Sequence, residues 1–429
     1  MRRRQILAAG ALATTTAAVG PAAVAAPAPS GRTTPPGNGS TTPPGLATKD
    51  TLAFAAGDVL AIGCAVAGGG HHLSQPYPAP FTHDETYRAV LAAEFTSLSA
   101  ENQMKWDHLR PSRDAFDFTD ADAIMEFAAQ NGQVVRGHTL MWHNQIPAWV
   151  TEGEHSPEEL RAILKEHIET VVGRYAGRMQ QWDVVNEIFD DAAVLRTEGN
   201  IWIRELGPEI IADCFRWAHA ADPQALLFVN DYNVEGINPK SDAYYALIQD
   251  LLADGVPVHG FSTQGHLSIR YGFPSDLAEN LQRFADLGLQ TAITELDVRM
   301  DLPEGGRPTE EQLAKQAEYH RLVVEAAVSV EGCRSLTLWG VLDKYSWVPG
   351  TFPGEGAATV LWDDFTRKPA YDAVQDALAE ASGRAGHPAL RDLGTVRSAA
   401  GLTSVRAASP AGGAAGWPRR PRGRCTGRR

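Results

Sequence analysis

Eight times along the chain a short apolar run gives way to a longer amphipathic stretch. The runs are Val59–Cys64, Ser97–Ala100, Val134–Gly137, Gln181–Val185, Ala225–Val229, Gly260–Thr263, Thr291–Thr294 and Ser335–Leu338. Each is too short for a helix and reads as a strand, and strands that alternate with helical stretches argue for a parallel sheet. Between the runs, apolar positions recur at helical spacing over Ala121–Gln130, Ile201–Ala220, Asp242–Ala253, Ser275–Leu287, Glu310–Val328 and Ala370–Ala381. A further helix is announced by Ser156-Pro157-Glu158-Glu159, which supplies a capping hydroxyl, a proline at the first helical position and acids in the first turn. Strand and helix repeated in this way predict an α/β fold, a closed (β/α)8 barrel forming one domain over residues 50–381. An open doubly wound sheet is the other arrangement of such units, but no glycine-rich dinucleotide turn opens a helix after the first run.

Outside that span the texture changes. Arg2-Arg3-Arg4-Gln5-Ile6-Leu7 leads into an Ala-rich apolar segment that ends near Ala26, with Ala23-Val24-Ala25 as a small-x-small cleavage pattern. Residues 1–26 are therefore expected to be an export signal and the protein to be secreted. The paired arginines favour the twin-arginine route over an ordinary secretory signal. Replacing Arg3 and Arg4 by lysine should then block export, and unchanged export would reject that route. Residues 27–49 are mostly Pro, Gly, Thr and Ser, a linker composition. Residues 382–429, rich in Ala, Gly and Arg, lack the apolar spacing of a packed core and are expected to be disordered.

Charge narrows the choice of partners. Residues 51–390 carry 24 basic side chains against 50 acidic ones, which excludes a phosphate-tracking nucleic-acid surface. No stretch after the N-terminal segment has the length and apolarity of a membrane span. Cys64, Cys214, Cys333 and Cys425 show no metal-like spacing, and Cys64 and Cys214 fall in expected core positions.

The polar residues are placed consistently just beyond the apolar runs. Trp182-Asp183-Val184-Val185-Asn186-Glu187 and Thr291-Ala292-Ile293-Thr294-Glu295-Leu296-Asp297 each lead into a glutamate. Other runs are followed by Glu101-Asn102-Gln103-Met104-Lys105-Trp106, by His138 through Gln145, by Asn230-Asp231-Tyr232-Asn233, by Gln264-Gly265-His266, and by Trp339 with Asp343, Ser346 and Trp347. In a barrel all of these converge on the rim where active sites are built. Amides and charges bond hydroxyls while indoles offer flat platforms, a mixture suited to a sugar. Two carboxylates across one cleft are the working parts of glycoside hydrolysis.

These motifs resemble glycoside hydrolase family 10, whose members are predominantly endo-β-1,4-xylanases. The resemblance rests on Glu101-Asn102-x-Met104-Lys105, Gly137-His138-Thr139-Leu140-x-Trp142-His143-x-Gln145, Trp182 to Glu187, Asn230-Asp231-Tyr232, Gln264-x-His266, Thr294-Glu295-Leu296-Asp297 and Trp339-Gly340-x-x-Asp343. It implies that Glu187 is the acid/base and Glu295 the nucleophile of a retaining double displacement on xylan. Asn186 would bond the 2-hydroxyl of the sugar under attack. Gln264 and His266 would partner the catalytic carboxylates, with Asp297 behind His266. Glu101, Asn102, Lys105, His138, Trp142, Gln145 and Trp347 would line the glycone side, Trp339 would lie beneath the reacting sugar, and Tyr232 would face the aglycone side. Gln145 and Trp347 would crowd out the hydroxymethyl group that distinguishes glucose from xylose. The resemblance implies no cofactor, no metal and a monomer acting on a polysaccharide. The chain departs from the pattern at Cys333, which stands where many relatives have the second cysteine of a local pair; no partner lies in residues 322–332.

Two other classes of protein could carry such residues on a barrel rim. A metal-dependent barrel hydrolase would use His138, His143, His266 and Asp297 as ligands, although no His-x-His or His-Glu-x-x-His spacing favours it. A non-catalytic sugar-binding protein would keep the indoles and amides but would have no use for two opposed glutamates.

Overall fold

The computed structural model describes residues 50–68, 79–303 and 306–385. Eight strands, all parallel, form the barrel: β1 (Ala61–Val66), β2 (Ser97–Ala100), β3 (Val134–Gly137), β4 (Gln181–Asn186), β5 (Leu226–Asp231), β6 (Gly260–Thr263), β7 (Gln290–Asp301) and β8 (Cys333–Leu338). Each pairs with the next in sequence, and β8 returns to β1 through Ala61 opposite Ser335 and Cys64 opposite Leu338. The closed barrel is the predicted architecture. Three of the eight runs, Ser97–Ala100, Val134–Gly137 and Gly260–Thr263, coincide with their strands residue for residue.

The largest departure is β7, expected to stop at Thr294 but extending to Asp301. Beyond the rim it gains new neighbours. A short strand, His266–Ser268, runs parallel to it with His266 opposite Asp297, and Glu355–Gly356 pairs antiparallel with Met300 and Asp301. A second departure is the predicted helix Ile201–Ala220. It is two helices, Ile201–Leu206 and Ile210–Ala221, because Gly207 adopts a φ of 77° and Pro208 follows. The helix Pro157–Arg174 begins as predicted, with Ser156 and Glu159 forming a reciprocal capping box worth about 1 kcal/mol.

Core packing fixes where the strands may carry side chains. Trp182 is fully buried and its ring lies against Gly137, where an added Cβ would come within 2.2 Å of the indole. Gly260 accommodates Phe228 in the same way. Trp182 thus packs the barrel and does not face the cleft. The termini of the barrel are tied together: Arg367 and Gln375 bond Asp50, Ser382 Oγ donates to Ala55 O, and Arg384 donates to Phe54 O. Residues 382–385, expected to start the unstructured tail, therefore pack on the helix Leu52–Ala56. Cys64, Cys214 and Cys333 are buried free thiols. The expected export signal, the linker, Cys425 and the tail beyond residue 385 lie outside the described residues. Among the described residues, no helix is long and apolar enough to cross a membrane.

Candidate active site

All fifteen side chains singled out from the sequence issue from the carboxyl ends of the barrel strands or the loops just beyond. Glu101, Asn102 and Lys105 follow β2; His138, Trp142 and Gln145 follow β3; Asn186 and Glu187 close β4; Tyr232 follows β5. Gln264 and His266 follow β6, Glu295 and Asp297 lie within the extended part of β7, and Trp339 and Trp347 come after β8.

Glu295 is buried and encircled by donors. Its Oε1 accepts from Asn230 Nδ2 at 2.9 Å, its Oε2 lies 3.2 Å from His266 Nε2, and His138 Nδ1 is 3.8 Å from Oε1. Burial alone would raise the pKa of such a carboxyl. His138, the hydrogen bond and charge of His266, and Arg136 outweigh it, so Glu295 is held well below the ordinary range and is ionised. His266 responds in kind. Burial disfavours its charge, but Asp297 at 3.0 Å from Nδ1 and Glu295 on the other nitrogen push its pKa up to about 10. The imidazolium then donates from both nitrogens, and Asp297 is fixed in turn by Trp347 Nε1 at 2.8 Å.

Glu187 has different company. Its Oε1 accepts from two amides, Gln264 Nε2 at 3.0 Å and Asn186 Nδ2 at 3.3 Å. His143 Nδ1 stands 3.9 Å from Oε2, and burial takes that imidazole down to about 4 despite the pull of Glu187, so it is neutral. Glu187 also has a φ of 56°, a left-handed backbone that costs a non-glycine residue about 1–3 kcal/mol and persists only where surroundings impose it. Its N–H donates to Asn230 O at 3.0 Å, and its carbonyl accepts from Arg196 Nε at 3.1 Å.

The remaining side chains form the walls. Lys105 is buried with Nζ 3.2 Å from Asn102 Oδ1 and 4.7 Å above the Trp142 ring. Burial lowers its pKa, and the nearby Glu295, Glu101 and Glu187 counter that fall. Gln145, itself at a φ of 50°, donates to Asn102 Oδ1 at 3.1 Å, while Asn102 Nδ2 donates to Gly68 O. Glu101 accepts from Gly68 N at 3.1 Å. The Trp142 indole N–H is shielded and, among the described residues, has no acceptor, which leaves a donor for a ligand hydroxyl. Trp339 stands edge-on to His138 with ring centres 5.4 Å apart. Tyr232 lies further along, its ring 3.7 Å from Lys240 Nζ.

Three contributors escaped the list of candidate residues. Asn230 was present in a recognised motif without an assigned role. Its Oδ1 faces the hydroxyls of Thr294 (2.7 Å) and Ser262 (2.9 Å), which turns Nδ2 towards both Asn186 Oδ1 (2.8 Å) and Glu295 Oε1. It thereby connects the strands bearing the two glutamates. Arg136 and Asp183, inside the barrel, form a buried ion pair that also holds His138 Nδ1 at 2.9 Å from Asp183 Oδ2. Asp183 stands inside the Trp182–Glu187 motif without an assigned role, and Arg136 lies on the neighbouring strand outside every motif. The metal reading required His138, His143, His266 and Asp297 to converge. Among the described residues, the donors close enough to share an ion are instead His138, Asp183 and Glu295, and the Arg136 guanidinium already occupies Asp183.

A parallel barrel that gathers two buried glutamates, amides and indoles at the carboxyl ends of its strands is the framework of a barrel hydrolase of glycosidic bonds. Sequence comparison bears this out at family level: the chain belongs to glycosyl hydrolase family 10, whose model matches residues 55–377, and it is a glycoside hydrolase. It is 44% identical over 296 residues to endo-1,4-beta-xylanase B of Thermotoga neapolitana, covering 69% of this chain and 84% of the relative. It is 39% identical over 318 residues to an endo-1,4-beta-xylanase of Agaricus bisporus, covering 74% and 93%. Among solved structures, xylanase 10B of Thermotoga maritima superposes with a TM-score of 0.71 at 41% identity, covering 78% of this chain and all of that one. The xylanase 10B of Thermotoga petrophila in complex with xylobiose gives 0.71 at 40% identity, covering 77% and 97%.

Proposed function

We propose that the protein is an endo-β-1,4-xylanase that cleaves internal bonds of xylan with retention, Glu295 acting as nucleophile and Glu187 as acid/base. The asymmetry of the two glutamates carries this reading. Glu295 is surrounded by Asn230, His266, His138 and Arg136, which favour its charged form. Glu187 takes its side-chain bonds from the neutral amides of Gln264 and Asn186, beside a neutral His143. An ionised group suits attack at the anomeric carbon, and a group free of cationic donors suits proton exchange.

In the first step the Glu295 carboxylate forms a bond to the anomeric carbon while the bond to the leaving sugar breaks, and the proton of Glu187 passes to the departing oxygen. Asn186 Oδ1 is engaged by Asn230 and Gln264 and one N–H by Glu187 Oε1, so its second N–H is the part offered to the 2-hydroxyl oxygen. In the second step the Glu187 carboxylate takes a proton from water as that water attacks, and Glu295 leaves ionised. The two inversions give net retention. Xylan as substrate is supported by the xylanase relatives and by the neighbour solved with xylobiose. The expected export segment, Arg2 to Ala26, would deliver the enzyme to such a polymer outside the cell.

The test is to incubate the enzyme with xylan and cellulose side by side and follow the fresh reducing ends by proton NMR. Xylan should be hydrolysed far faster, with β-anomers appearing before mutarotation. Initial α-anomers would reject the double displacement, and a preference for cellulose would reject the substrate.

A further inference from the structure

The loop after β4 turns back on itself and returns a cation to the acid/base. Phe189 bridges Leu195, Asp190 Oδ1 accepts from Ala192 N and Val194 N, and Arg196 N donates to Ile188 O at 2.7 Å. This turn places the Arg196 guanidinium beneath residues 187–189. Nε donates to Glu187 O at 3.1 Å, and Nη2 donates both to Phe189 O at 3.2 Å and to the Tyr232 hydroxyl at 3.3 Å. Tyr232 is gripped from the other side too: Lys240 Nζ donates to its carbonyl at 2.9 Å and sits 3.7 Å above its ring. One forked side chain therefore joins the strained backbone of Glu187 to an aromatic ring on the next strand's loop. The side-chain hydrogen bonds of Glu295 are made with Asn230 on β5 and His266 beyond β6, neither of which belongs to this loop.

We propose that Arg196 is a positioning residue that locks Glu187 to Tyr232, so that a sugar held against Tyr232 on the leaving-group side meets the acid/base in register. The proposal rests on the assignment of Glu187 as acid/base. Proton transfer needs donor and acceptor within about 2.6–3.2 Å, and a displacement of about 1 Å can cost on the order of 100-fold. Loosening Arg196 should therefore harm the steps that use Glu187 and spare the attack by Glu295. A planar guanidinium suits this role because Nε and Nη2 belong to one rigid fork, which fixes the oxygens of Glu187, Phe189 and Tyr232 relative to one another.

The experiment compares Arg196→Met, Arg196→Lys and Tyr232→Phe with the wild type and with Glu187→Ala. Two quantities are read: kcat/KM on xylotetraose, and the rate of the first step, from the pre-steady-state burst, on a dinitrophenyl xylobioside whose leaving group needs no proton. Arg196→Met should lower kcat/KM on xylotetraose by about 10- to 100-fold while the burst rate changes by less than about threefold. Arg196→Lys should show the same split at smaller size, and it keeps the test alive if the methionine variant does not fold. Combined with Arg196→Met, Tyr232→Phe should add little further loss on xylotetraose, because the two groups act through one link. Equal losses on both substrates, or independent losses in the double variant, would overturn the proposal. If Glu187→Ala itself fails to separate the two substrates, the acid/base assignment falls and the proposal falls with it. If Glu187→Ala separates them and the Arg196 variants do not, the proposal alone is wrong.

Discussion

Glu295→Ala is expected to abolish hydrolysis of xylan and of activated aryl xylosides alike, with kcat falling by on the order of 10⁴-fold or more. The reason is that every route through the proposed mechanism begins with a bond from this carboxylate to the anomeric carbon, and a better leaving group cannot replace a missing nucleophile. The loss should not be one of folding. Removing the carboxylate leaves Asn230 Nδ2 bonded to Asn186 Oδ1, and it leaves His266 paired with Asp297. Circular dichroism and the thermal unfolding midpoint should therefore stay close to the wild type while activity disappears. Activity on a dinitrophenyl xylobioside within about tenfold of the wild type would show that Glu295 is not the nucleophile.

The parts of this arrangement visible in sequence were those enforced by local physics. Short runs centred on apolar residues alternate with longer amphipathic stretches, so eight repeats of that unit announce eight barrel strands. A helix needs its first N–H groups capped, so Ser156 and Glu159 marked a start. What stayed hidden depends on contacts made far along the chain. β7 runs on to Asp301 because His266–Ser268 and Glu355–Gly356 come to pair with it above the rim. Its polar–apolar alternation from Glu295 to Met300 could have suggested the extension, since Leu296, Val298 and Met300 are all buried. The break at Gly207-Pro208 was likewise open to reading, as that dipeptide is a turn signal and helical periodicity on either side masked it. The pairing of Asp183 with Arg136 is not open to reading in this way. Asp183 sits inside an apolar run, and its partner Arg136 lies on the neighbouring strand, where only barrel closure and register bring the charges together. The same holds for Asn230, whose importance comes from bridging two strands rather than from its neighbours in sequence.

Glu187→Ala should separate two activities that Glu295→Ala destroys together. On xylan the leaving sugar is a poor leaving group without protonation, so kcat/KM should fall by about 10²–10⁴-fold, the usual worth of a positioned general acid. On a dinitrophenyl xylobioside the phenolate departs unaided, and Glu295 keeps its Asn230 and His266 partners. The first step should then proceed at near the wild-type rate. The second step needs a base to take the proton from water, and that base is gone, so the glycosyl-enzyme should accumulate. Rapid mixing should show a burst of one phenolate per active site followed by slow turnover, and intact mass measurement should find the protein heavier by one xylobiosyl group. Azide, an anion that needs no deprotonation and can enter the vacated carboxylate space, should accelerate the slow phase and yield a β-glycosyl azide. A burst absent from Glu187→Ala, or one present in Glu295→Ala, would reverse the roles assigned to the two strand ends. Inverted configuration in the azide product would remove the covalent intermediate itself. The contrast between the two variants therefore tests what the surroundings of the carboxylates imply: the His266 imidazolium and the Asn230 amide hold Glu295 charged for attack, while Glu187 takes its side-chain bonds from the amides of Gln264 and Asn186 beside a neutral His143.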